Sequence, residues 1–276
     1  MNKITTKVVN RLFKVKSFIH SQLPSKKKFK ILFSDLPRRR LLLERVFQFT
    51  KHQISFGNIS QSNLKNYDLI VPLTIHDLKY LNEVKDLIID NPIPIPSTSS
   101  IITCDEKNRL NSALIESGFS HIVPKIGGKQ KFPYIIKRNT DETGQNSHIV
   151  HDLDEELHLS SILGNPDYYT QEIIVGKYEY AAHILIKDYI ISYHLGIRYT
   201  FDNELPIHGK DWPIDTRTCH CPYLDLFASI LNSIGFQGLC CIDYKVYNNH
   251  PYIFEINPRP GGSCHPYFLS FINHLD

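Results

Sequence analysis

The chain has 276 residues, of which 42% are hydrophobic and 21% charged, with a formal net charge of +3. This ordinary globular composition is long enough for two or three small lobes with cores of their own. It contains no apolar run near the roughly 18 residues of a membrane span, no secretory signal pattern and no disulfide-framework spacing among its six cysteines, so we expect a soluble cytoplasmic protein.

The positive charge is concentrated at the N-terminus. Residues 1–30 hold nine lysines and arginines and no acid, whereas the rest of the chain holds 22 basic and 28 acidic residues. Apolar residues recur there at helical spacing, at Ile4, Val8, Leu12, Val15, Ile19 and Leu23. We predict a basic amphipathic leader over residues 1–29 that covers the main body; docking onto an anionic membrane surface or a protein is the alternative. No nucleic-acid motif is present, so we expect no nucleic-acid partner.

Residues 30–96 form a first predicted lobe. Strands are expected at 29–34 and 67–73, and helices at 41–49 and 75–87. Strand, helix, strand, helix is typical of a small parallel α/β lobe. Neither strand is followed by a glycine-rich phosphate loop, so this lobe is not expected to bind a dinucleotide by itself. The proline-rich segment 91–100 predicts extended chain and ends the lobe.

Residues 97–170 form the predicted central lobe. A helix is expected at 105–117, closed by Gly118, and a strand at 132–138. Between that strand and the next lies a polar loop, 139–147, which contains Gly144. The loop is interpreted either as a mobile cover whose backbone N–H groups reach phosphate, or as a surface loop without a role.

The C-terminal lobe is predicted to span residues 171–276. We expect strands at 168–175 and 179–186, a continuation at 189–193, an irregular region at 198–223, a helix at 224–234, and strands at 238–247 and 252–256. The irregular region holds Arg198, His208, Lys210 and Arg217, which could receive an anionic substrate or could simply be solvated.

Polar residues converge at the last two strands. Alternation places Glu255 and Asn257 on one face, with Arg259 just beyond as the chain turns. The tight connection at 248–250 then brings Asp243 onto the adjacent antiparallel strand. Two carboxylates and an amide suit one or two Mg²⁺ ions, with Mn²⁺ as a substitute. The alternative is a solvated strand end.

The motifs that carry this constellation resemble those of the ATP-grasp superfamily, which includes biotin carboxylase, carbamoyl phosphate synthetase and D-alanine:D-alanine ligase. The strongest match is residues 235–259, and the resemblance runs from about residue 97 to the C-terminus. It implies an α/β plus α+β fold, in which an N-terminal parallel α/β lobe precedes two lobes that clamp ATP. It also implies that Asp243, Glu255 and Asn257 are metal ligands and that Arg259 steadies the transferred phosphoryl group.

Other segments resemble further parts of the family's ATP site. Lys137 takes the position of the lysine that meets the ATP phosphates, and Lys107 that of a second nucleotide contact. Segment 171–176 resembles the hinge that binds adenine, through Glu172, Ile173 and Ile174. Glu179 then falls where a carboxylate meets the ribose hydroxyls, and Gly144 lies in the lid over the phosphates.

The resemblance implies an ADP-forming ligase that activates a small-molecule carboxylate as an acyl phosphate for attack by an amine. A small-molecule kinase and a non-catalytic nucleotide-binding module remain alternatives, and the sequence is compatible with a homo-oligomer. The cysteines and neighbouring histidines lack the paired spacing of a zinc site, so we expect inert thiols instead of zinc ligands or a Cys-His nucleophile.

Overall fold

A computed structural model describes residues 27–88, 90–141 and 144–275, which contain three sheets. The leader predicted at 1–29 lies outside these residues except for its last three positions. In the part of the chain that is described, no helix is both long and apolar enough to cross a membrane.

The first sheet is parallel and has three strands in the order β2-β1-β3. Its strands are β1 (Lys30–Ser34), β2 (Gln53–Gly57) and β3 (Leu69–Val71), with helices α1 (Pro37–Phe47) and α2 (Ile75–Glu83) and 3-10 turns at Ile59–Gln61, Leu64–Asn66 and Lys85–Leu87. The sequence analysis omitted β2, because its alternating segment has only two large apolar residues, Ile54 and Phe56. The predicted parallel α/β lobe is otherwise confirmed.

The helix predicted at 105–117 is present as α4 (Lys107–Glu116), and a further helix that was not predicted, α3 (Thr98–Asp105), precedes it. Glu106, in an extended conformation with φ −98° and ψ 106°, separates them. The first helix begins within the segment that was expected to be extended, because the Ser97 side chain accepts a hydrogen bond from the backbone N–H of Ser100 and caps it.

The second sheet is antiparallel, with strand order β5-β4-β6. It consists of β4 (Tyr134–Arg138), β5 (His148–Val150) and β6 (Tyr168–Glu172), preceded by a 3-10 turn at Ser120–Ile122 and accompanied by helices α5 (Leu153–His158) and α6 (Ser160–Leu163). Strand β6 is three residues shorter than predicted, so the segment after Glu172 is a connection between sheets.

The third sheet has five antiparallel strands in the order β11-β10-β7-β8-β9. Its elements are β7 (Tyr178–Lys187), β8 (Ile190–Thr200), β9 (Asp215–Cys219), α7 (Leu224–Ser233), β10 (Gly238–Tyr247) and β11 (His250–Asn257), followed by a 3-10 helix (Gly262–Tyr267) and α8 (Phe268–Ile272). The prediction that 198–223 is irregular is wrong at both ends. Strand β8 continues to Thr200, and β9 pairs with it through a polar, threonine-rich segment that carries little apolar signal.

Two buried cores position the site. In the larger, Leu110 and Leu114 of α4 pack with Phe227 of α7 and Ile242 of β10, so α4 lies against the third sheet. The second core joins the first sheet to the C-terminus, where the rings of Phe33 and Phe268 meet edge to face at 5.3 Å. The first sheet and α8 are thereby fixed beside the third sheet, whose Leu185 and Leu239 belong to the same core. The predicted lobe boundaries at 97 and 171 stay predictions.

We expect Phe268→Ala to lower the free energy of unfolding by about 3–5 kcal/mol, because it removes a wholly buried ring from the core between the lobes. Phe49→Ala, which truncates a ring that is 92% exposed, should change it by no more than about 0.5 kcal/mol. Urea unfolding followed by circular dichroism measures both. Equal midpoints for the two variants would contradict this account of the core.

Candidate functional site

The hairpin of β10 and β11 sets the position of the acidic residues. Asn248 and Asn249 both have positive φ, 50° and 60°, which suits a two-residue hairpin turn. The strands pair with Asp243 opposite Glu255 and Cys241 opposite Asn257, and the register shifts by one residue just after Asp243. This irregularity leaves Phe254 as the extra residue of a bulge.

The structure brings Asp243, Glu255 and Asn257 together as the sequence predicted. The Asn257 side-chain amide donates to Asp243 Oδ2 at 3.1 Å and to Glu255 Oε1 at 3.0 Å. The amide nitrogen therefore bridges the two carboxylates, so that one oxygen of each carboxylate lies close to the other. Such a set of hard oxygen donors fits Mg²⁺, and the role of these residues as metal ligands stays a prediction.

The two carboxylates have opposite electrostatic environments. Burial, reinforced by the neighbouring Glu255, raises the pKa of Asp243 to about 7. For Glu255 burial opposes the charge, but Lys107, the Asn257 amide and Lys137 outweigh it and lower the pKa to about 2. The pair thus carries one firmly held negative charge and a second that a bound cation would stabilise.

Lys107 and Lys137 supply the positive charge beside this pair. Lys107 is the first residue of α4 and is 9% exposed; its Nζ lies 3.1 Å from Glu255 Oε2 and donates to the Asp141 carbonyl at 2.9 Å. Lys137 Nζ, on β4, lies 4.7 Å from the centre of the Phe254 ring. Burial lowers the pKa of Lys137 to about 8, with Glu255 opposing the shift. Both predicted lysines therefore reach the hairpin.

The connection from β6 to β7 contains the predicted hinge. Gln171 is 1% exposed, and neither polar atom of its side chain has a hydrogen-bond partner among the described residues. Lys245 Nζ donates to the Ile174 carbonyl at 3.1 Å, whereas Glu172 is exposed. Lys245 thus holds the backbone of the hinge at Ile174. The buried Gln171 amide keeps unused hydrogen-bonding groups, which a polar ligand would satisfy.

Glu179 is buried at the start of β7 and is shared by two cations. Its carboxylate oxygens lie 3.6 Å from Lys245 Nζ and 3.2 Å from His208 Nδ1. Although burial opposes the charge on His208, the hydrogen bond with Glu179 and nearby Asp243 raise its pKa to about 9. Sequence reasoning missed Lys245 as a site residue. The signal was available, since Lys245 lies two positions after Asp243 and therefore on the same face of β10.

The polar loop 139–147 contacts the loop between β8 and β9. Gln145 Nε2 donates to the Gly209 carbonyl, and Lys210 Nζ donates to the Ser147 carbonyl, each at 2.6 Å. Gly144 has φ 67°, and a Cβ at this position would collide with the His208 carbonyl. The loop that contains Gly144 therefore lies against His208, whose Nδ1 contacts Glu179 at the start of β7.

The four basic residues predicted within 198–223 do not form one patch. His208 and Lys210 lie beside the Gly144 loop, whereas Arg198 on β8 and Arg217 on β9 are register neighbours in the sheet. Arg198 lies over the Tyr178 ring, and Arg217 pairs with Asp215. That any of these residues receives an anionic substrate stays a prediction.

Arg259 follows β11 and lies on the side of the hairpin that faces the first sheet. With Pro72 after β3 and Pro260, it lines a shallow cleft between the first and third sheets. Arg259 is two residues after Asn257, so a group held by Arg259 would lie near the carboxylate pair.

All six cysteines are free thiols, and only Cys219 is not fully buried. Burial raises the pKa of Cys240 and of Cys241 well above the ordinary value. Among residues 27–88, 90–141 and 144–275, no three His, Cys, Asp or Glu side chains are grouped to hold a metal ion.

We expect Asp243→Asn to stabilise the metal-free protein, and to do so more at pH 8 than at pH 5. The pKa of Asp243 is about 7 in the folded protein against an ordinary 3.8, so folding opposes its ionisation increasingly as the pH rises between these values. Thermal unfolding in EDTA measures the difference. The control Asp225→Asn, at an exposed site in α7, should behave alike at both pH values. If Asp243→Asn destabilised the protein equally at pH 5 and pH 8, the raised pKa of Asp243 would be contradicted.

The sequence matches no known protein family and no curated protein. Solved structures nevertheless have the same fold. The L-amino acid ligase from Bacillus licheniformis has a TM-score of 0.61 and 14% identity, over 88% of this chain and 70% of that one.

Two nucleotide complexes are also similar. The D-alanine–D-alanine ligase from Bacillus anthracis complexed with ATP has a TM-score of 0.56 and 15% identity, over 86% of this chain and 88% of that one. N5-carboxyaminoimidazole synthetase from Staphylococcus aureus complexed with ADP has a TM-score of 0.59 and 11% identity, over 92% of this chain and 79% of that one. The chain therefore has the ATP-grasp fold, as the resemblance of its sequence motifs implied.

Proposed function

We propose that the protein is an ADP-forming ligase, which activates a small-molecule carboxylate with ATP and joins it to an amine or a similar nucleophile. The observation that carries this proposal is the carboxylate pair of the β10–β11 hairpin, bridged by Asn257 and flanked by Lys107 and Lys137. In an ATP-grasp fold this arrangement supports binding of a metal–nucleotide complex.

The site's residues fit Mg²⁺, because a partly buried carboxylate with a raised pKa lies beside a second carboxylate, and Asn257, whose amide nitrogen bridges the two, would offer its amide oxygen after the side chain flips. When bound, Mg²⁺ would supply positive charge beside the ATP phosphates. In this proposal Asp243, Glu255 and Asn257 hold the ion. Lys137 and Lys107 add positive charge on the phosphate side.

The nucleoside end of ATP would lie at the hinge. Gln171 offers a buried amide for a polar edge of the adenine, and the backbone at Ile173 and Ile174 lies next to it. Glu179 would accept hydrogen bonds from the ribose hydroxyls, with Lys245 fixing its carboxylate. The loop containing Gly144 would exclude water from the phosphates once they are bound.

A carboxylate becomes reactive when one of its oxygens attacks the γ-phosphate, which yields an acyl phosphate and ADP. The amine nitrogen then attacks the acyl carbon, and inorganic phosphate leaves. Arg259 would neutralise charge on the phosphoryl group in both steps. No side chain has to act as a nucleophile, which agrees with the buried, high-pKa thiols.

We expect Asp243→Asn and Glu255→Gln to reduce ADP formation about 100-fold or more, because each removes a charge that the metal–phosphate complex needs. The assay is ADP release from MgATP with amino acids, short peptides and dicarboxylates as candidate acids. Asp225→Asn is the matched control and should retain full activity. Full turnover in both site variants would overturn the metal assignment.

The fate of a labelled γ-phosphate separates a ligase from a kinase. With γ-labelled ATP, an active acid and an amine, we expect the label as inorganic phosphate. With hydroxylamine in place of the amine, a hydroxamate of the acid should accumulate. Label retained on a stable organic product would show a kinase, and nucleotide binding without ADP under every mixture would show a non-catalytic module.

A further inference from the structure

Helix α1 turns large apolar side chains toward solvent as well as toward the core. Leu43 and Phe47 face the core and are 0% and 4% exposed. On the opposite side of the helix Leu41 is 67% exposed, and Phe49, just beyond the last turn, is 92% exposed. Apolar residues that lie near one another on a surface and are this exposed are typical of a docking face.

The charge on the outward side of α1 is positive. Arg38 and Arg45 lie three positions before and four positions after Leu41, so they share its side of the helix, and both are exposed. The single acidic residue of α1, Glu44, is already paired with Arg40 at 3.0 Å. We refer to this surface as the α1 face, which consists of Arg38, Leu41, Arg45 and Phe49.

The described part of the chain begins beside the α1 face. Lys27 Nζ, in the first described residue, lies 5.3 Å from the centre of the Phe29 ring, which stacks on His52 at 5.7 Å. The His52 ring in turn meets the ring of Phe47, the last residue of α1, edge to face at 6.1 Å. Residues 1–26 therefore join the described chain close to the end of α1 that carries the α1 face.

The sequence of the leader has the same chemistry as the α1 face. Residues 1–30 hold nine basic residues and no acid, and their apolar residues recur at helical spacing. This pattern is typical of a helix that lies in a membrane interface with its apolar side buried. The leader's positive charge would be repelled by Arg38 and Arg45, so the leader is not a suitable cover for the α1 face. An anionic partner would attract both.

A second exposed apolar helix face has the opposite charge. Leu153 and Leu157 lie one turn apart on α5 and are 60% and 62% exposed. The exposed carboxylates of Asp152 and Asp154 flank them. An anionic surface would repel this face and attract the α1 face, which makes the α5 leucines a matched control.

We propose that the α1 face and residues 1–26 dock together on the anionic surface of a lipid bilayer. The basic residues would attract the headgroups of acidic phospholipids, while Leu41 and Phe49 would enter the boundary between headgroups and acyl chains. A nucleic acid would engage the arginines and leave the apolar side chains in water. The rest of the chain, with 22 basic and 28 acidic residues, would be repelled and would orient the first sheet toward the bilayer.

Co-sedimentation of the full chain with unilamellar vesicles tests the docking directly. The probes are vesicles of phosphatidylglycerol and phosphatidylcholine in equal parts, and vesicles of phosphatidylcholine alone. We expect binding to the mixed vesicles, with binding to phosphatidylcholine alone at least about tenfold weaker. Raising the ionic strength from about 0.1 M to about 1 M should weaken the binding, because the Debye length falls from about 10 Å to about 3 Å.

Variants of the α1 face separate the apolar from the charged contribution. Leu41→Gln combined with Phe49→Gln should lower the affinity for the mixed vesicles about tenfold, and Arg38→Gln combined with Arg45→Gln should also lower it about tenfold. These positions are exposed, so the urea midpoints should match that of wild type. The control Leu153→Gln combined with Leu157→Gln, on α5, should bind the mixed vesicles like wild type.

The leader has a test of its own. Val8→Gln combined with Leu12→Gln interrupts its apolar pattern and should also lower the affinity for the mixed vesicles about tenfold. Unchanged binding by this variant would overturn a surface shared between the leader and α1.

Several results would overturn the proposal as a whole. These are wild-type protein that does not bind the mixed vesicles, and equal binding by wild type and the Leu41 and Phe49 variant. Loss of binding in the α5 variant alone would show the wrong face. Binding of an RNA oligonucleotide without binding of vesicles would show a nucleic-acid partner. Vesicle binding is measured without nucleotide, so failure of the proposed ligase reaction leaves this inference unchanged.

Discussion

Two carboxylates that face each other across paired antiparallel strands repel one another, and this repulsion organises the site. Asp243 and Glu255 occupy such a pair, and their partial burial reduces the screening of their charges by water. Lys107 and the Asn257 amide hold the negative charge of Glu255, whereas burial and the charge of Glu255 raise the pKa of Asp243, although it shares the same amide. A divalent cation would relieve the remaining electrostatic repulsion between the two carboxylates. The hairpin is therefore better explained as a binding site than as a stabilising contact.

The surrounding fold brings cations to this hairpin from different sheets. Helix α4 packs on the third sheet and carries Lys107, β4 of the second sheet carries Lys137, and α1 of the first sheet carries Arg39. The core around Phe33 and Phe268 holds the first sheet in place, so Arg39 can rest on Gly262. A site assembled in this way depends on how the sheets are packed as much as on its own residues.

The elements that could be predicted from the sequence are those with a strong local pattern. The strand pair 238–247 and 252–256 follows from apolar alternation on both sides of the Asn248–Asn249 turn, and the convergence of Asp243 with Glu255 follows from that pair. The motif resemblance then led to Lys107 and Lys137, which the structure places at the hairpin.

The elements that could not be predicted depend on contacts between distant parts of the chain. Strands β2 and β9 are short and rich in polar residues, and they are strands because a neighbouring strand supplies hydrogen bonds. The bulge at Phe254 and the packing of Arg39 on Gly262 leave no local pattern. The hydrogen bond of Lys245 to the Ile174 carbonyl is equally a consequence of how β10 lies against the hinge.

The measurement that tests the central claim most directly is a crystal structure with Mn²⁺ and a non-hydrolysable ATP analogue, with the metal located from its anomalous signal. The account predicts a peak that is coordinated by oxygens of Asp243, Glu255 and Asn257 at about 2.1–2.2 Å and also contacts the phosphates, with the adenine at the hinge beside Gln171. A nucleotide bound elsewhere, or an ordered nucleotide with no metal at this hairpin, would contradict it.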